Sequence, residues 1–100
     1  GNRSLQFRHL RIDLGSHQVW VDGRLVDFTG TEFELLKALA QHPRLVLSRT
    51  QLLELVWGHD FFGEDRVVDV HMGHVRQKLG LSGLIQTVRG VGYRFEDEPL

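Results

Sequence analysis

Apolar side chains in the first quarter of the chain recur at strand spacing. Leu5 and Phe7, Leu10, Ile12 and Leu14, Val19 and Val21, then Leu25, Val26 and Phe28 form short runs, mostly at the two-residue period of a strand with one buried face. Gly15-Ser16 and Asp22-Gly23 interrupt these runs, and Asp-Gly between alternating segments is a strong hairpin signal. The pattern predicts a small antiparallel sheet of three or four strands.

Helical spacing takes over from there. Thr29-Gly30-Thr31-Glu32 has the form of a capping box, with Thr29 as N-cap and Glu32 three residues in. Phe33, Leu35, Leu36, Ala38, Leu39 and Ala40 follow, and Pro43 stops a first helix expected over residues 30–41. Beyond Leu45-Val46-Leu47, Ser48-Arg49-Thr50-Gln51 repeats the capping form ahead of a shorter helix that ends near Gly58. A third helix is expected over residues 65–79. At 100° per residue its Val68, Met72, Val75 and Leu79 fall within about 60° of one another, a stripe suited to packing on a core. Asp65 is read as its N-terminal cap and Gly80 as its C-terminal stop. Ile85-Gln86-Thr87-Val88, Arg89-Gly90-Val91-Gly92 and Tyr93-Arg94-Phe95 then read as strand, turn and strand.

The fold class is therefore α+β: a meander, three helices and a C-terminal hairpin. Helices two and three form a helix-turn-helix variant with a long turn, and the hairpin after them would be a wing. Residues 1–100 are one domain, with 1–4 read as linker or expression remnant and 96–100 as a frayed acidic tail.

Opposite its apolar stripe, the third helix carries Arg66, Val70, Gly73, His74 and Gln77, flanked by Asp69 and Arg76 on one side and Val67, His71 and Lys78 on the other. Solvated helix faces normally carry long charged side chains. This face mixes cations, hydrogen-bonding groups, a small apolar side chain and a glycine, and so has the shape of a binding surface.

Composition narrows the choices. An apolar fraction of 41% and a charged fraction of 25% suit an ordinary globular domain, and the absence of cysteine excludes disulfides and thiolate zinc sites. No apolar run approaches the roughly 20 residues of a bilayer span, and no signal peptide is evident, so the expectation is a cytoplasmic protein without a membrane partner. The net charge of −1 hides a gradient: residues 66–94 carry five cations and one anion, whereas residues 96–98 are acidic. An anionic partner belongs to the last third.

Four motifs together resemble the winged-helix DNA-binding domain at the C-terminus of OmpR/PhoB-type response regulators. They are Phe28-Thr29-x-Thr31-Glu32-Phe33-x-Leu35-Leu36, Ser48-Arg49-x-Gln51-Leu52-Leu53-x-x-Val56-Trp57, Asp65-Arg66-x-Val68-Asp69-Val70-His71 and Gln86-Thr87-Val88-Arg89-Gly90-x-Gly92-Tyr93-Arg94-Phe95. The resemblance implies a four-stranded N-terminal sheet, a recognition helix in the major groove and a wing in the minor groove of double-stranded DNA. It also implies a domain that is monomeric alone and binds head-to-tail on tandem direct repeats, driven by phosphorylation of a receiver domain by an upstream sensor kinase. No catalytic residue, cofactor or metal is implied.

Position by position, Arg49, Trp57, Arg66, Thr87 and Tyr93 match phosphate or sugar contacts, and the flanking Val67, His71 and Lys78 are grouped with them. Arg49 also reads as a solvated cation and Trp57 as a core residue. Arg89 matches the wing arginine of the minor groove, where weakly hydrated guanidinium meets a strong negative potential. Base-reading candidates are Val70, Gly73, His74, Arg76 and Gln77. Asp69 is expected to orient Arg66, Arg76 or the helix start. His59, Asp60, Phe61, Phe62 and Glu64 lie where the family contacts RNA polymerase, although one phenylalanine could equally pack inward.

Two alternatives use the same residues differently. His71 and His74 lie three apart and could share a metal, but no third ligand with fixed spacing or HExxH pattern accompanies them. A winged-helix module used for protein interaction without specific DNA binding is compatible with the neutral overall charge.

Overall fold

In a computed structural model, residues 3–58, 61 and 63–100 are described. The element order is β1 (Ser4–Gln6), β2 (Leu10–Asp13), β3 (Gln18–Val21), β4 (Arg24–Val26), α1 (Gly30–Ala40), β5 (Val46–Ser48), α2 (Arg49–Trp57), α3 (Arg66–Leu79), β6 (Ile85–Val88) and β7 (Gly92–Phe95). β1 to β4 form an antiparallel sheet in sequence order. Asp22 and Gly23, at φ 49° and 82°, make the turn between β3 and β4. Two consecutive positive φ values match the right-handed twist of the flanking strands, and Asp-Gly tolerates them better than most pairs.

Both capping boxes form. The Thr29 hydroxyl accepts from the Glu32 amide at 3.2 Å while Glu32 accepts from the Thr29 amide at 2.9 Å, and Ser48 and Gln51 repeat the exchange at 3.0 and 2.8 Å. Asp65 behaves otherwise. Its backbone is already helical and its side chain makes no cap; the carboxylate lies 3.8 Å from Arg49 Nη1 instead. Gly80 ends α3 at φ 71°, as expected.

The core joins Ile12, Val19 and Val21 of the sheet to Phe33, Leu35, Leu36 and Leu39 of α1, Leu52 of α2, and Val68, Met72, Val75 and Leu79 of α3. The four α3 side chains are almost wholly buried, each contributing roughly 1.5–3 kcal/mol relative to exposure. None of the described helices is long and apolar enough to cross a membrane.

Two connections were not evident in the sequence pattern. Val46–Ser48 joins the C-terminal hairpin as a third strand, in the order β5-β7-β6, pairing Ser48 with Gly92. A Cβ at Gly92 would run into the Leu47 carbonyl, so glycine permits this close pairing. The acidic tail, expected to fray, is anchored. Asp97 is buried, and its Oδ2 accepts from the amides of His9 (2.9 Å) and Leu10 (3.2 Å). The Arg8 amide donates to Glu98 O at 2.8 Å, and Phe7 bridges to Pro99.

Asp97→Ala leaves two inward amides without an acceptor and should lower stability by on the order of 2–3 kcal/mol in urea unfolding. Gly73→Ala should act in the opposite direction: an added Cβ meets nothing within 4 Å, so midpoint and free energy should rise by about 0.5–1 kcal/mol.

Candidate nucleic-acid interface

Because the apolar stripe of α3 is fixed inward, the other side of the helix faces solvent. Val70 is 57% exposed, and Gly73, His74 and Gln77 are exposed with it. Beside this face stands the β6–β7 hairpin. The Val91 amide donates to the Val88 carbonyl at 2.9 Å, closing a turn with Arg89 and Gly90 at its tip. Arg89 and, at the start of α3, Arg66 are exposed and unpaired among the described residues.

A crevice of about 240 Å³ separates α3 from the wing and is lined by Arg49, Asp69, Thr87, Arg89 and Tyr93, among others. Asp69 organises it. The Tyr93 hydroxyl donates to Asp69 Oδ1 at 2.5 Å, and Arg49 Nη1 lies 3.5 Å from Oδ2. Asp69 therefore orients Tyr93 and Arg49, in place of the expected Arg66, Arg76 or helix start. Arg49 is the first residue of α2, so this ion pair ties that helix to α3 while Tyr93 ties α3 to β7.

Arg76 turns away from the outward face toward the wing. Its Nη2 donates to the Ile85 carbonyl at 3.0 Å and to Thr87 Oγ1 at 2.6 Å, and its guanidinium sits 5.2 Å from the Tyr93 ring centroid. Lys78 is likewise engaged. Its Nζ donates to Glu32 Oε1 at 2.5 Å and lies 5.7 Å from the Phe28 ring, and His74 Nδ1 is 3.8 Å from Glu32 Oε2. Burial opposes ionisation of Glu32, but the Lys78 ammonium and the Thr29 amide outweigh it and hold the carboxyl below its ordinary value. Thus the capping residue of α1 also reaches two side chains of α3.

The remaining candidates form a ladder of rings. His71 Nδ1–H donates to the Val67 carbonyl at 2.9 Å, and its ring meets Trp57 edge-on at 5.3 Å and His74 at 6.2 Å. Phe61 is half-buried, 6.1 Å from Trp57, which fits the inward alternative for one phenylalanine. Glu64 is exposed, whereas His59, Asp60 and Phe62 lie outside the described residues. Among the described residues no group of histidine, aspartate and glutamate is arranged to hold a metal ion.

Tyr93 is the sole tyrosine. Burial, then the hydrogen bond and charge of Asp69, push its pKa up to about 12 against the pull of Arg76 and Arg49. The folded state thus keeps a proton that the unfolded chain loses near pH 10. The associated stability is complete below pH 10 and lost as pH rises toward 12. Phenolate absorbance of the native protein should titrate near 12 and that of the urea-unfolded chain near 10; coincident curves would contradict the Asp69 contact.

Comparison with known proteins agrees with this architecture. Residues 23–95 match the family described as transcriptional regulatory protein, C terminal. The transcriptional regulatory protein SrrA of Staphylococcus aureus is 44% identical over 95% of the chain, which spans only 43% of that relative. The DNA-binding domain of Klebsiella pneumoniae RstA, solved in complex with RstA box, superposes with a TM-score of 0.85 at 34% identity, covering 94% of this chain and 97% of that one. DrrB of Thermotoga maritima, an OmpR/PhoB homologue, gives 0.84 at 31% identity, covering 94% and 44%. The chain belongs to the family of C-terminal winged-helix domains of transcriptional regulatory proteins, in the OmpR/PhoB class of response regulators.

Proposed function

We propose that this domain binds double-stranded DNA sequence-specifically as the output module of a two-component response regulator. The observation that carries the reading is the side-by-side exposure of the outward α3 face and a wing tipped by Arg89. A helix of this diameter fits the major groove, and a wing beside it reaches the adjacent minor groove. The RstA DNA-binding domain, solved in complex with RstA box and sharing this fold, supports a DNA-binding role.

In this reading Val70, Gly73, His74 and Gln77 face base edges: Val70 suits a thymine methyl, Gln77 an adenine and His74 a guanine acceptor. Arg49, Arg66, Thr87 and Tyr93 hold the phosphates together with Trp57, Val67 and His71, and Arg89 reads minor-groove shape. Arg76 and Lys78 act chiefly as braces, one to the wing and one to α1. Binding on tandem direct repeats in head-to-tail pairs, control by a phosphorylated receiver domain and its kinase, and contact of the loop around Phe61 and Glu64 with RNA polymerase complete the proposal, all in the cytoplasm.

Selection of bound sequences from a random duplex library should enrich a direct repeat spaced by about one helical turn. Anisotropy titrations on the winning duplex should weaken steeply with salt, with a slope near −0.9 for each phosphate neutralised. Arg89→Ala should lower affinity and relax A/T preference at the flanks, whereas Gln77→Ala should change the major-groove preference by about 1–3 kcal/mol at one base pair. Absence of enrichment together with a flat salt response would instead favour a protein-interaction module.

A further inference from the structure

A carboxylate stands where a backbone phosphate is expected to dock. Asp69 lies in the crevice with Arg49, Thr87, Arg89 and Tyr93, and its two oxygens are directed at the phosphate-holding groups themselves: Oδ1 takes the Tyr93 hydroxyl at 2.5 Å and Oδ2 lies 3.5 Å from Arg49. Asp65 approaches the same Arg49 nitrogen at 3.8 Å. In the free domain Arg49 therefore faces two carboxylates, while Arg66 and Arg89 face none among the described residues.

We propose that Asp69 is an internal competitor of the DNA backbone for Arg49, a built-in limit on sequence-independent affinity. A phosphate entering the crevice must draw Arg49 from its partners and leave Asp69 facing a like charge. That cost applies to any duplex. It lowers the electrostatic share of binding, which is the share that holds a regulator on bulk DNA, and leaves the base contacts of α3 a larger part of the total. The Tyr93 hydrogen bond keeps the carboxylate in the crevice and makes the competition a fixed feature of the site.

This inference rests on the DNA-binding reading, and the same titrations separate the two. Asp69→Asn removes the charge but keeps an oxygen that accepts from Tyr93. With a fluorescein-labelled duplex of mixed sequence, the variant should bind roughly two- to fivefold more tightly than the wild type at low salt, the range of an exposed ion pair. Its salt slope should steepen by up to about 0.9 as Arg49 contributes a full counterion release. Both changes should vanish in an Arg49→Ala background. Asp65→Asn, at an exposed position without a capping role, should give a smaller rise and decides the matter if Asp69→Asn fails to fold. Unchanged or weaker binding, or a gain that persists without Arg49, would overturn the competition while leaving DNA binding intact. A wild-type domain that binds no duplex would overturn both.

Discussion

Four side chains on one side of α3 determine where everything on its other side points. Val68, Met72, Val75 and Leu79 are driven into the core by the same hydrophobic term that holds the sheet to α1. Since helical geometry fixes the angle between faces, Val70, Gly73, His74 and Gln77 must then stand in solvent. The outward face is thus aimed by packing on the opposite side, without needing contacts of its own. That leaves its composition free to suit a partner, including a glycine that costs helix stability.

The wing needs a separate support, because an isolated two-stranded hairpin is marginal in water. Three devices supply it: β5 pairs along β7, Arg76 reaches from α3 to Ile85 and Thr87, and Tyr93 reaches from β7 to Asp69. The last two start from opposite sides, so helix and hairpin each contribute a side chain to the joint. A residue that looks from the sequence like a base reader is, in Arg76, part of the frame that places the wing beside the helix.

Charge is handled in the same economical way. Glu32 caps α1, holds Lys78 and approaches His74, while Asp69 holds Tyr93 and faces Arg49. Each carboxylate joins elements distant in sequence; Glu32 also offsets positive charge on α3 and Asp69 on α2. Arg66, at the start of α3, and Arg89, at the tip of the wing, are exposed and left without such partners among the described residues.

Features that depend on near neighbours were legible along the chain. Both capping boxes, the Asp22-Gly23 turn, the Gly80 stop, the apolar stripe of α3 and the β6–β7 hairpin could be read from residues within a few positions of one another, because their geometry is set by local hydrogen bonds and fixed periods. The rest depends on contacts between segments far apart in the chain. Val46–Ser48 is too short to announce a strand, and becomes one through β7, more than forty residues later. Asp97 reads as tail until it meets the amides of His9 and Leu10. Asp65 has the composition of a cap, yet its side chain makes no cap and lies toward Arg49. The partners of Asp69, Arg76 and Lys78 likewise come from other elements, and long polar side chains reach any of several faces from one Cα. Their direction is settled only when the fold brings a complementary group within hydrogen-bond distance, and no local pattern encodes that.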